Sequence, residues 1–188
     1  MWNPIEYISN SLATWLLVGL TMTSTLVFME LQAIGRPLHT DAAPLGMLCL
    51  QFAWSPDRAK KIVQSWTPEA QHTTSPDAME AALQSLKFDF VFLSLYSTTL
   101  ALACFLAARD AAEAWSPRLV WLGWGQWGAG VLDIFENLFL MRVLKGPVVT
   151  PWPQLAALCS GAKFLLVIAG VLSIVFAAAW CFVHAKAN

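Results

Sequence analysis

Charged side chains are scarce in this chain. They make up 12% of its 188 residues, against 57% hydrophobic ones, and a soluble globular domain carries about twice that share of charge. One water-soluble core cannot hold so much apolar surface, so the composition predicts an integral membrane protein with the lipid bilayer as its main partner. An excess of basic residues is lacking too: the formal net charge is −1 and the pI is near 6.3. Without a cationic footprint, nucleic acid is not an expected partner. Cysteine is limited to Cys49, Cys104, Cys159 and Cys181, with no Cys-x-x-Cys pair among them. At least three of these lie in apolar runs, where a free thiol behaves as a small hydrophobe, so neither a disulfide framework nor a zinc site is expected. His39, His72 and His184 are equally isolated, and no metal or cofactor is expected.

Motifs of soluble catalysis are missing as well. The chain holds no nucleophilic triad, phosphate-binding loop, dinucleotide fingerprint or metal-ligand helix. Gly123, Gly125, Gly128 and Gly130 superficially suggest a glycine-rich loop, but they lie in an apolar helical run and precede no Lys-Ser or Lys-Thr pair. This leans against an enzyme. The segment Met1–Glu6 lacks the basic region of a secretory signal and no Ala-x-Ala site follows, so the first apolar run is expected to remain as a span. No repeat, low-complexity tract or lipidation motif is visible.

What the chain does contain is long runs without charge, notably Tyr7–Met29, Phe90–Ala108 and Phe164–His184, each near the ~20 residues needed to cross hydrocarbon. With a fourth, more polar stretch between the last two of them, the pattern predicts an all-α fold. It would be a four-helix up-down membrane bundle forming a single domain over residues 1–188, with spans at about 7–30, 88–108, 118–144 and 160–183. Helix signals flank these runs. Asn3, Pro4 and Glu6 form a predicted start, and Gly35 and Pro37 a stop. Ser75-Pro76-Asp77 and Ser116-Pro117 are further starts, Gly146-Pro147 is a stop, and Pro151-Trp152-Pro153 opens the last helix.

Between the first two spans, an extramembrane helical segment is expected over about 36–86. Ser55-Pro56-Asp57 caps a short helix in it that runs to about Trp66. The segment reads as an interfacial amphipathic stretch anchored by Trp54 and Trp66 with its lysines toward phosphates, or alternatively as a lid over a ligand site. Arg36, Arg58, Lys60, Lys61, Lys87, Arg142 and Lys145 fall in the first and third connections. By the positive-inside rule this puts the long first connection in the cytoplasm and both termini outside.

The stretch Val131–Met141 sets Asp133, Glu136 and Asn137 in an otherwise apolar run. Ionisable groups in a membrane helix cost roughly 2.5–3.5 kcal/mol each and normally face partners inside the protein. At 100° per residue, Gln126, Asp133 and Asn137 form one stripe bordered by Glu136. In alternating spans, Glu30, Asp89, Asn137 and Lys163 fall toward the same side, and Tyr96 shares a helix face with Asp89. An ion pair of Lys163 with Asp89 or Glu136 is geometrically open. The acids outnumber that lysine, so a bound proton in the cluster is expected. Trp121, Trp124 and Trp127, beside the four glycines, read as an interfacial belt with close helix packing, the alternative being a stacked flat ligand.

The candidate ligand- or proton-binding residues are therefore Asp133, Glu136, Asn137, Asp89, Tyr96, Lys163, Glu30 and Gln126. The expected role is binding of a small amphipathic or cationic ligand, a lipid or a proton. The alternatives are a structural or accessory subunit of a larger membrane complex, and a homo-oligomeric proton or cation pathway.

Overall fold

The computed structural model describes residues 2–67 and 78–185. It is all-helical, with no strand among the described residues: α1 Asn10–Ile34, α2 Met47–Gln51, α3 Pro56–Ser65, α4 Ala78–Asp110, α5 Ser116–Lys145 and α6 Trp152–Ala185, plus a single 3-10 turn at Arg36–Leu38. Three of the helices, α1, α4 and α6, are long and apolar enough to cross a membrane. The fourth expected span, α5, has 30 residues but falls outside that set, because glycines, tryptophans, Gln126 and two carboxylates dilute its aliphatic residues.

Helix ends follow local chemistry. At the end of α1 the Gly35 amide closes on the Leu31 carbonyl at 2.9 Å, α5 stops at Lys145 before Gly146-Pro147, and α6 opens at Trp152. Ser55 caps α3 as predicted, its hydroxyl accepting from the Arg58 amide at 3.3 Å. The predicted start at Ser75-Pro76-Asp77 lies outside the described residues. From Ala78 onward, α4 runs unbroken through Lys87 into the apolar stretch.

The start of α1 is a correction. Residues 4–7 form turns, and the helix begins only at Asn10, where the Ser9 hydroxyl accepts from the Leu12 amide at 3.3 Å. The predicted cap, Asn3, is committed elsewhere. Its Oδ1 accepts from the Ile5 amide at 3.2 Å and its amide donates to the Phe105 carbonyl at 3.1 Å, while Ile5 is buried. Helix-start chemistry at Asn3 is thus used to hold a non-helical segment against α4.

Packing groups the chain into two units. The first comprises residues 1–25, 94–131 and 163–188. Its core includes Ala13, Leu102, Phe105, Leu119 and Val120. Arg109 ties the N-terminal segment down, donating to Asn10 Oδ1 at 2.6 Å and the Ile8 carbonyl at 2.8 Å, and Ser24 and Thr99 share a hydroxyl hydrogen bond at 3.1 Å. Within α1, Thr14, Thr21, Thr23 and Thr25 donate their hydroxyls to the carbonyls four residues earlier.

The second unit comprises residues 26–93 and 132–162. Here the segment after α1 packs its apolar side into the core. Leu38, Leu50, Ile62 and Trp66 are buried together with Leu86 of α4 and Leu140 and Val143 of α5. Ala59, Ile62 and Trp66 fall on one side of α3, leaving Arg58, Lys60 and Lys61 exposed on the other. Trp66, an expected interfacial anchor, is instead fully buried, and its indole N–H donates to the Leu38 carbonyl at 2.9 Å. A second tie, Thr40 to Ser65 at 2.8 Å, closes the same segment on itself. Trp54 remains at the surface, 51% exposed.

Candidate functional site

In the middle of α5 the polar residues are buried while several large apolar ones face outward. Asp133, Glu136 and Asn137 are almost wholly enclosed, whereas Val131, Ile134, Phe135 and Leu138 are between 36% and 51% exposed. A helix in water arranges these the other way round. The same inversion appears on α6, where Ser160 and Lys163 are buried and Leu165, Ile168, Leu172 and Val175 are exposed.

In the second unit the seam on α5 meets α4. The Asn137 amide donates to Asp89 Oδ2 at 2.7 Å. Because the amide nitrogen must face the carboxylate, the carbonyl must point the other way. That carbonyl, Asn137 Oδ1, is buried and accepts from no donor among the described residues. Asp133 and Glu136 occupy the preceding turn of the same helix. Asp133, Glu136 and Asn137 thus bury three acceptor-bearing side chains on successive turns of α5, the last of them bonded to the half-buried Asp89. Such a group is suited to a proton, an ammonium or a hydrogen-bond donor, and unsuited to an anion.

Glu30, near the end of α1 in the second unit, is exposed. Tyr96, half-buried, belongs to the first unit, as do Gln126 and Lys163. The buried Lys163 holds its ammonium 5.4 Å from the Phe164 ring centroid. Gln126 is fully buried and donates to the Leu166 carbonyl of α6 at 2.9 Å. This bond depends on Gly170, where a Cβ would run into the Gln126 amide. Sequence reading singled out Gln126 but missed Gly170, whose only signal was a lone glycine in an apolar helix. Gly170→Ala is expected to cost about 1–3 kcal/mol by overpacking. In a Gln126→Ala background most of that cost should vanish, as a double-mutant cycle of unfolding free energies would register; equal costs in both backgrounds would refute the contact.

The tryptophans divide by environment. Trp121 is exposed, in keeping with a belt position, while Trp124 and Trp127 are half-buried and pack edge-on, 5.0 Å apart, against Phe105. Among the described residues, no three His, Cys, Asp or Glu side chains are gathered as a metal site.

Comparison with protein-family models, curated proteins and solved structures returns no match. The functional reading therefore rests on the geometry of the chain itself.

Proposed function

We propose that this is a multi-pass membrane protein in which α1, α4, α5 and α6 form a four-helix up-down bundle. The buried acceptors Asp133, Glu136 and Asn137, with Asp89, bind a proton or a small cationic or amphipathic molecule carrying a hydrogen-bond donor. The long first connection faces the cytoplasm and both termini lie outside, following the distribution of Lys and Arg. Membrane residence is supported by three helices able to span and by the buried-polar, exposed-apolar inversion of α5 and α6. The observation that carries the site is Asn137: its amide is spent on Asp89, which leaves a fully buried carbonyl on the stretch of α5 that also buries Asp133 and Glu136. Native proteins rarely leave a buried acceptor without a donor, since doing so costs about 1–3 kcal/mol. A ligand supplying that donor would satisfy it.

The competing use of the same residues is packing. Interhelical hydrogen bonds in membranes contribute about 0.6 kcal/mol on average, enough to select a polar seam in a structural or accessory subunit. Asp133→Asn and Glu136→Gln separate the two. The protein is extracted gently from its own membrane, and ligand mass is read by native mass spectrometry beside the thermal midpoint. For a binding site, the variants should keep the midpoint of the ligand-stripped wild type and lose at least about tenfold in ligand retention or proton uptake. If the midpoint falls while retention is unchanged, the seam is structural and the proposed site is wrong.

A further inference from the structure

The first unit contains a groove of about 240 Å³ between the start of α5, the turn before it, and α6. Its walls include Trp115, Leu122, Leu172, Phe176 and Trp180, and Arg118 stands at its rim. The aromatic rings form a continuous row: Trp115 and Phe176 lie 5.5 Å apart and Phe176 and Trp180 6.2 Å apart. The guanidinium of Arg118 rests 4.7 Å from the Trp115 ring centroid. Stacking occupies a face of the guanidinium and leaves its edge, with the hydrogen-bond donors, directed elsewhere. No carboxylate is among the described residues that line the groove.

Position along the chain adds a constraint. Arg118 lies in the first turn of α5, just before the uncharged run Leu119–Leu132. In a spanning helix that is the level of the headgroups, where Trp is enriched and where basic pockets between helices take phosphate-bearing heads. The groove thus has a cation at its polar end and aromatic and aliphatic walls below. Those features match an amphiphile with a phosphate at one end and a hydrocarbon chain at the other.

We infer that this groove holds one glycerophospholipid of the surrounding bilayer, with its phosphate on Arg118 and an acyl chain along Leu122, Leu172 and the aromatic row. The inference relies on membrane residence but not on the carboxylate site of the second unit, and the two fail separately. The phosphate accepts charge-assisted hydrogen bonds from the guanidinium edge. The Trp115 ring fixes the angle at which that edge is presented.

The test uses the full chain, stripped of lipid in mild detergent and mixed with dioleoylphosphatidylglycerol or with dioleoylglycerol, which has the same chains and no phosphate. Native mass spectrometry should give a one-to-one phosphatidylglycerol adduct at least about tenfold more abundant than the dioleoylglycerol adduct. Arg118→Gln should abolish that preference and Arg118→Lys, which keeps the charge, should preserve it. Ser173→Phe, which fills the groove from α6, should lose both adducts, whereas Asp133→Asn and Glu136→Gln should retain the phosphatidylglycerol adduct. Three results would overturn the assignment: no adduct with the wild-type chain, equal retention of the two lipids by it, or a phosphatidylglycerol adduct undiminished in Arg118→Gln or Ser173→Phe.

Discussion

Trp66→Ala is expected to destabilise the second unit by about 3–5 kcal/mol, the range for truncating a buried large aromatic residue. Two effects act together. Removing the indole opens a cavity among Leu38, Leu50, Ile62 and Leu86, and it deletes the donor to the Leu38 carbonyl. Trp66→Phe separates them, keeping most of the apolar volume while leaving that carbonyl without its donor, at a cost of about 1–3 kcal/mol. Hydrogen exchange resolves the change, because residues 36–67 should open at a free energy lowered by these amounts. Trp54→Ala supplies the contrast: that side chain is 51% exposed, and its removal should stay within about 0.5 kcal/mol. If the two tryptophans gave equal effects, Trp66 would belong at a surface and not in the core.

Gly123→Ala is expected to destabilise the first unit by about 1–3 kcal/mol, although alanine is the better helix former. A Cβ at position 123 would meet the Phe105 ring, with Cδ1 at 2.8 Å and Cζ at 2.9 Å. The ring has little freedom to retreat, since Phe105 is buried and flanked by Trp124 and Trp127 at centroid distances of 6.2 and 5.7 Å. Gly123→Leu should cost more, and Phe105→Leu in the same chain should recover part of the loss, with a coupling of about 0.5–3 kcal/mol. Gly128→Ala should have the opposite sign. Nothing lies within 4 Å of its would-be Cβ, so the helix gains about 0.5–1 kcal/mol. Chemical unfolding followed by Trp fluorescence can compare the variants, and a stabilised Gly123→Ala would refute the close approach.

These cases show what was legible in the sequence. Uncharged runs and the Gly-Pro and Ser-Pro punctuation located the long helices, because length, charge and backbone sterics act locally. The Ser55 cap was legible for the same reason. The polar stripe on α5 followed from helical periodicity, and Asp133 and Asn137 are indeed buried on it. Partnership was not legible. Asn3 looks like a cap in any local window, yet it donates to a carbonyl 102 residues away. Trp54 and Trp66 look alike in composition, and only the fold of residues 36–66 makes one a surface residue and the other a core residue. The link from Gln126 to Leu166 needed two helices and a glycine that sequence reading passed over.

The threonines of α1 alter how polar that helix is to its surroundings. The most apolar 18-residue stretch of α1 has a mean hydropathy of 1.7, against 2.0 and 2.4 for those of α4 and α6. A hydropathy index charges each hydroxyl as though it faced the solvent with an unmet demand for hydrogen bonds. In Thr14, Thr21, Thr23 and Thr25 the proton is already bound to a carbonyl of the preceding turn, at 2.7–2.8 Å. Transfer of the folded helix into hydrocarbon strips no water from those donors, so α1 partitions as a more oily rod than its residue count implies.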